Sequence, residues 1–88
     1  MDKYFVYILR SEKSNRFYIG QTQNLCNRLH RHNSGWEKAT RHDRPWKLIW
    51  HTTKNSRNDA VRLEKKLKNY TIKRLLDFIE RHPPAAGR

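Results

Sequence analysis

Glu64 occupies a position in this sequence that requires a chemical explanation. It lies between Leu63 and Leu67 in the apolar stripe of a predicted helix, where an ionised carboxylate is costly unless it is paired or binds a cation. One interpretation places Glu64 at the edge of the stripe, paired with one of the many Lys and Arg residues. The other makes it a metal ligand. A metal held by one carboxylate and water suits Mg²⁺.

Arg28 and His32 occupy comparable positions in an earlier predicted helix. Together with Leu25 and Leu29 they follow the i, i+3, i+4, i+7 spacing of one helix face. Both polar side chains are therefore expected to face inward or toward a rim. The alternative is that they are ordinary edge residues, because an Arg stem readily covers apolar surface.

Three tyrosines, Tyr4, Tyr7 and Tyr18, lie in predicted strands. Tyrosines in strands are commonly core residues, but a buried hydroxyl needs a hydrogen-bond partner. Side chains alternate along a strand, so Tyr4 and Tyr7 point to opposite faces and only one of them can share a face with Tyr18.

Several familiar chemical patterns do not occur in the sequence. The five histidines show no Cys-His or His-Glu spacing typical of a zinc site. A glycine-rich phosphate loop and a serine nucleophile elbow are also missing. A structural zinc site is therefore not expected.

The elements that position these residues begin with two strands. Tyr4 to Arg10 carries aromatic and β-branched residues on both faces, which is typical of a strand covered on two sides. A polar connector of hairpin length follows, and Arg16 to Gly20 resumes the strand composition. The two segments predict an antiparallel hairpin.

A helix and a long loop follow the hairpin. Helical spacing predicts a helix from about Gln23 to His32, with Gly35 as its C-terminal stop and Thr22 or Asn24 as its N-cap. The loop from Ser34 to Pro45 has no periodicity, and its length suggests a functional role. Trp36 within it is expected to cover apolar surface.

The rest of the chain predicts a strand and two helices. Alternating apolar residues predict a third strand from Trp46 to His51. Ser56 and Asp59 form an approximate Ser-x-x-Asp cap before a helix from about Arg57 to Lys68. Residues from Ile72 to Ile79 predict a short third helix that ends before His82. The element order predicts an α+β fold, with one domain over residues 1–80 and a disordered tail over 81–88.

The composition favours a nucleic-acid partner. The chain has 88 residues and a formal net charge of +12 at pH 7, and a strongly basic domain attracts polyanions through counterion release. Its length predicts one small core and no deep cofactor cavity. The single Cys26 suggests a reducing compartment, and the apolar runs are too short for a signal peptide or a membrane span. A cytoplasmic protein with no membrane partner is expected.

The motifs together resemble those of the GIY-YIG endonuclease superfamily. Val6-Tyr7-Ile8 and Tyr18-Ile19-Gly20 resemble its paired signature. The later stretches resemble its small single-domain bacterial branch: Asn24 to Leu29, His32 to Gly35, Thr40 to Trp46 and Leu63 to Lys68. The similarity extends from Tyr4 to about Ile79. It implies a three-stranded antiparallel sheet flanked by helices, with the site on one sheet face.

The resemblance also implies metal-dependent hydrolysis of DNA phosphodiester bonds, structure- or damage-directed, as in DNA repair. By position, Tyr7 corresponds to the general base or to a residue that positions water, and Tyr18 to a second hydroxyl beside it. Arg28 corresponds to a clamp on the scissile phosphate and Glu64 to the ligand of a single Mg²⁺ or Mn²⁺. His32 and His42 match positions where some relatives use a histidine for proton transfer or phosphate binding.

The sequence departs from the family pattern at a few positions. Val6 replaces the first glycine of the signature, and Gln21 stands where repair nucleases carry a lysine. A second function class stays open, a non-catalytic nucleic-acid-binding or recruitment module on the same fold. In that module Trp36, Trp46 or Trp50 would stack on unpaired bases. An acidic Glu64 near bound phosphate favours the nuclease, because an unpaired carboxylate repels the ligand of a binding-only module.

Overall fold

The fold of the chain is described by a computed structural model over residues 3–83. Three strands and three helices follow one another in the predicted order. Their bounds are β1 (Tyr4–Ser11), β2 (Phe17–Thr22), α1 (Leu25–Asn33), β3 (Trp46–Lys54), α2 (Arg57–Lys68) and α3 (Ile72–Arg81), with a 3₁₀ turn at Arg41–Asp43 before β3. The predicted α+β class with a three-stranded antiparallel sheet is confirmed.

Most element boundaries lie within a few residues of the predicted ones. The largest difference is in β3, which continues three residues past the predicted end at His51 because β1 pairs with it as far as Lys54. In α1 the side chain of Asn24 accepts a hydrogen bond from the Asn27 backbone N–H, so Asn24 is the N-cap. The Ser56 side chain caps α2 in the same way, through the Asp59 N–H.

β1 is the central strand of the sheet, with β2 on one side and β3 on the other. Its position explains why its apolar residues occur on both faces. Val6 and Ile8 point to one face, where they pack with Ala60 and Leu67 of α2. Leu75 of α3 completes this larger core.

The opposite face of the sheet carries a smaller core that includes Tyr7. Tyr7, Leu9 and Trp46 are buried there, and Tyr18, Leu25, Leu29 and Leu48 pack against them. The prediction that one of the two β1 tyrosines shares a face with Tyr18 is confirmed for Tyr7, since Tyr4 packs on the other side. The face covered by α1 therefore brings both signature tyrosines together.

The long loop before β3 is held at both ends by side-chain hydrogen bonds. The Asn33 amide pairs with the backbone of Trp46, accepting from its N–H at 2.6 Å and donating to its carbonyl at 3.1 Å. The Ser11 hydroxyl donates to the Asp43 carbonyl at 2.5 Å. The expectation that Trp36 covers apolar surface is wrong, because its side chain is 70% exposed.

The C-terminal end of the described chain closes the larger core. The indole N–H of Trp50 donates to the carbonyl of His82, which follows α3. Of the predicted tail, Arg81 is the last residue of α3 and His82 is its C-cap, whereas residues 84–88 lie outside the described residues. Among residues 3–83, every helix is too short and too polar to cross a bilayer.

Candidate active site

The β1–β2 pairing sets the position of the Tyr7 phenol. Tyr7 and Gly20 are directly opposed in the register of the two strands. A Cβ atom on Gly20 would lie 2.6 Å from the Tyr7 hydroxyl oxygen and 2.8 Å from its ring carbon Cζ. Real Cβ atoms do not approach that closely. The glycine of the Tyr18-Ile19-Gly20 motif therefore gives the phenol room to lie across the β2 backbone.

The Tyr7 hydroxyl belongs to a buried chain of hydrogen bonds. It lies 3.0 Å from His32 Nε2, and His32 Nδ1 lies 2.8 Å from Thr40 Oγ1. Tyr7, His32 and Thr40 are each about 1% exposed. Thr40 is fixed in turn, because its carbonyl accepts the indole N–H of Trp46 at 2.8 Å. Strand β1, helix α1 and the long loop thus each contribute one member of the chain.

Tyr18 packs against this chain at its outer side. Its ring centroid lies 4.8 Å from that of His32 and 6.3 Å from that of Tyr7. Tyr18 is only half-buried, and within residues 3–83 its hydroxyl has no hydrogen-bond partner. That hydroxyl is therefore available to a molecule bound at this face.

Arg28 lies one helical turn before His32 on α1, on the same helix face. Its positive charge lowers the pKa of both Tyr7 and His32, which places it near the two side chains. A cation beside two groups that can move a proton is suited to holding an anionic substrate in contact with them. The predicted inward or rim orientation of Arg28 and His32 agrees with these positions.

Burial determines how Tyr7 and His32 ionise. The pKa of Tyr7 is raised well above the ordinary value of 10.0, mainly by burial and then by Tyr18, while Arg28 acts in the opposite direction. Burial also lowers the pKa of His32 below 6.5, and Arg28 and Arg31 add to this while Glu37 opposes it. At neutral pH the site therefore holds a protonated phenol next to a neutral imidazole.

Glu64 lies on α2, which packs on the other face of the sheet. Its carboxylate Oε2 is 2.7 Å from Lys68 Nζ and its side chain is 18% exposed. Within residues 3–83 Glu64 has no hydrogen bond or ion pair with Tyr7, Tyr18 or Arg28. Lys68 and Tyr18 line the same groove of about 390 Å³. The paired interpretation of Glu64 thus describes its present contact, and its role as a metal ligand stays a prediction.

In the loop before β3, Thr40 contacts the site, whereas the predicted site residue His42 does not contact His32 or Tyr7 within residues 3–83. The His42 side chain is exposed in the 3₁₀ turn, and its described contact is a backbone one, in which its carbonyl accepts from Lys13 Nζ. Its predicted role stays untested. Thr40, two residues earlier, contacts His32 directly. The Thr40 to Trp46 stretch indicated that this segment matters, but nothing in the sequence distinguished the threonine from the histidine.

Comparison with known proteins identifies the class to which this fold and site belong. The GIY-YIG catalytic domain family matches residues 3–75, a range that includes Tyr7, Tyr18, Arg28, His32 and Glu64. The chain belongs to the GIY-YIG family, as its motifs indicated.

The chain is similar in sequence and structure to small bacterial proteins named UPF0213. It is 32% identical over 81 residues to a UPF0213 protein of Staphylococcus epidermidis, covering 91% of this chain and 98% of that protein. A UPF0213 protein of Staphylococcus haemolyticus is 35% identical with the same coverage. The solution NMR structure of a UPF0213 protein of Bacillus halodurans matches with a TM-score of 0.59 at 26% identity, covering 89% of this chain and 83% of the other. The predicted small bacterial branch is confirmed.

Proposed function

We propose that the chain is a divalent-metal-dependent endonuclease that hydrolyses phosphodiester bonds of DNA. The observation that carries this proposal is the buried contact between Tyr7 and His32, with Tyr18 and Arg28 on the same face of the sheet. The net charge of +12 supports a polyanionic substrate. Membership of the GIY-YIG family supports the nuclease class.

The raised pKa of Tyr7 constrains how it acts as a base. A phenol that stays protonated at neutral pH accepts a proton from water only if its own proton leaves at the same time. His32 Nε2 lies 3.0 Å away and is neutral, so it can take that proton. We assign Tyr7 O–H as donor to Nε2 and His32 Nδ1–H as donor to Thr40 Oγ1, because a phenol is more acidic than an aliphatic hydroxyl.

We propose that hydrolysis at this site proceeds as a single displacement at phosphorus. The water oxygen forms a bond to phosphorus, and the bond from phosphorus to the leaving sugar oxygen breaks with its electron pair. The water proton passes to the Tyr7 oxygen while the Tyr7 proton passes to His32 Nε2. The leaving oxygen takes up a proton from solvent.

Arg28 and Tyr18 complete the site around the phosphate. The Arg28 guanidinium offers a planar fork of donors for two phosphate oxygens, where negative charge develops in the transition state. The free Tyr18 hydroxyl supplies a further hydrogen bond to the substrate or the attacking water. Because the Tyr7 phenol is protonated and therefore neutral, it does not repel the anionic substrate.

Glu64 is the residue that would hold a Mg²⁺ or Mn²⁺ ion. Its carboxylate is partly buried and carries one ion pair. Within residues 3–83 there is no cluster of three or more His, Cys, Asp or Glu residues that would form an all-protein cage. Mg²⁺ commonly binds through one or two carboxylates plus phosphate oxygens. When bound, such an ion would supply charge neutralisation to a substrate phosphate.

A structure-directed substrate and a role in DNA repair extend the proposal. Trp36 is 70% exposed, and an exposed indole can stack on a base that is not paired. Flaps, junctions and damaged sites present such bases.

The free, exposed Cys26 is compatible with a reducing compartment, and we place the protein in the cytoplasm.

The same tryptophan supports the second candidate function, a non-catalytic nucleic-acid-binding or recruitment module. Trp46 and Trp50 are buried at 5% and 4% exposure, so their proposed stacking on bases is wrong and Trp36 alone of the three is accessible. A binding module would use Trp36 and the basic surface. It would not require the buried Tyr7–His32 hydrogen bond for its function.

Cleavage of a defined DNA panel tests the proposal against this alternative. Labelled duplex, single-stranded, flap and four-way-junction DNAs are incubated with Mg²⁺ or Mn²⁺, with EDTA, and with a Glu64→Gln variant. Cleavage of a branched or flapped DNA that requires both metal and Glu64 supports the endonuclease. Tight, salt-sensitive binding without cleavage on every DNA supports the binding module instead.

A further inference from the structure

Arg28 and Arg57 line one surface cleft from two different helices. The cleft has a volume of about 400 Å³. Arg28 belongs to α1 and Arg57 to the first turn of α2. The other lining residues are neutral. Four of them carry amide side chains (Gln21, Gln23, Asn24 and Asn27), and the remaining two are Tyr4 and Thr22. Its lining residues thus include two arginines and no acidic residue.

The two positive charges of the cleft have no ionic partner in the described part of the chain. Within residues 3–83 neither Arg28 nor Arg57 forms an ion pair, as is true of most lysines and arginines of this basic chain. Like charges that face one cleft repel each other unless an anion lies between them. The lining therefore favours an anionic ligand.

Arg57 also stands where its charge weakens the fold. The N-terminal turn of a helix carries partial positive charge, so a cation in that turn is unfavourable. Arg57 is exposed and packs in neither of the two cores. Helix stability and core packing thus give no reason for a cation at this position, but a bound anion does.

We propose that this cleft binds the backbone phosphate next to the one that is cleaved, with Arg57 as the residue that holds it. The inference rests on the proposed nuclease function, because Arg28 lines the cleft and also acts on Tyr7 in the active site. Because Arg28 and Arg57 line the same cleft, a strand whose scissile phosphate contacts Arg28 is expected to present a neighbouring phosphate to Arg57. The amides of Gln23 and Asn27 are suited to the phosphate and sugar oxygens of that strand.

Equilibrium binding without metal tests the cleft separately from catalysis. Fluorescence anisotropy of a fluorescein-labelled flap DNA is measured in EDTA over a series of salt concentrations. The proteins are the unmodified chain, Arg57→Ala, Arg57→Lys and the control Arg62→Ala, an exposed arginine of the same helix that does not line the cleft. Unlabelled inorganic phosphate and a mononucleotide serve as competitors.

The proposal expects a loss of affinity with a characteristic salt dependence. Arg57→Ala weakens binding roughly tenfold and lowers the slope of log affinity against log salt by about one, the change expected when one phosphate contact is lost. Arg57→Lys restores part of the affinity, and Arg62→Ala changes the slope less. Thermal unfolding of Arg57→Ala is expected at the same temperature as the unmodified chain or higher.

Two outcomes overturn the inference. Equal affinities and slopes for Arg57→Ala and Arg62→Ala show that the cleft makes no phosphate contact. Displacement of the DNA by inorganic phosphate or the mononucleotide at low concentration shows a site for a small anion instead of a strand. If DNA affinity depends on Arg57 but no DNA is ever cleaved, phosphate binding in the cleft is supported and the nuclease proposal fails.

Discussion

The Tyr7 hydroxyl lies 2.6 Å from the position that a Cβ atom on Gly20 would occupy. This relationship follows from the β1–β2 register, which opposes the two residues. The missing side chain at Gly20 lets the phenol reach His32, at 3.0 Å. A backbone requirement in one strand thus determines the hydrogen bond of a side chain in the next.

Gly20→Ala is expected to damage the site and the fold together. The new methyl group must displace the Tyr7 ring, and overpacking of this kind costs about 1–3 kcal/mol. Urea unfolding measures that loss, and DNA cleavage is expected to fall with it. In a Tyr7→Leu background the cost of Gly20→Ala shrinks. An equal cost in both backgrounds would show that Tyr7 and Gly20 are not coupled.

Thr40→Val removes the hydroxyl that faces His32 while keeping the shape of the side chain. We expect kcat to fall roughly 10- to 100-fold, as when a functional histidine loses the partner that orients it, with little change in KM. The pH profile of kcat shifts as well, and ¹⁵N NMR reports a changed tautomer balance at His32. Thr40→Ser, which retains the hydroxyl, restores most of the activity. Equal losses in both variants would contradict a role for this hydroxyl.

The stability of the protein is expected to decrease in mild acid because of His32. Burial lowers the pKa of His32 in the folded state below 6.5, its ordinary value. As pH falls below 6.5 the unfolded chain binds the proton first, so protons favour unfolding. The stabilisation from the neutral imidazole is complete above pH 6.5 and is lost progressively below it.

Unfolding in urea at several pH values tests this prediction. The His32→Gln variant is expected to show a shallower decrease in the free energy of unfolding between pH 6.5 and acidic pH. The charged neighbours Glu37, Arg28 and Arg31 stay in place in that variant. The same slope with and without His32 would show that another group is responsible.

Lys68→Met is expected to lower the metal concentration that cleavage requires. Lys68 now holds the Glu64 carboxylate at 2.7 Å, and a cation bound to Glu64 competes with it. Because a partly exposed ion pair contributes at most about 1 kcal/mol, the half-saturating concentration of Mg²⁺ falls about two- to fivefold. Lys65→Met on the same helix is the control. No difference between the two variants would indicate that metal does not bind through Glu64.

The element order could be predicted because local signals were strong. The caps at Asn24 and Ser56 and the two-sided apolar composition of β1 each depend on near neighbours in sequence. Gly35, read as a stop signal, has a φ of 83° just after α1, a conformation that favours glycine.

Parts of the site could not be predicted because they depend on contacts between distant segments. Thr40 reaches His32 only because Trp46 and Asn33 fix the loop between them. The exposure of Trp36 and the burial of Trp46 likewise follow from that loop, since composition alone treats the two tryptophans alike. In the sequence Arg57 is an ordinary first residue of a predicted helix. Only the packing of α1 and α2 shows that Arg57 and Arg28 line one cleft.

Cleavage of the best DNA of the panel by Arg28→Ala, beside Arg62→Ala, tests the central claim most directly. Arg28 lines the substrate cleft, and its charge also affects the ionisation of Tyr7 and His32. The nuclease proposal predicts that metal-dependent cleavage by Arg28→Ala falls at least about a hundredfold, while the far-UV spectrum and the activity of Arg62→Ala stay unchanged. Near-normal cleavage by a folded Arg28→Ala protein would contradict the assignment of this site.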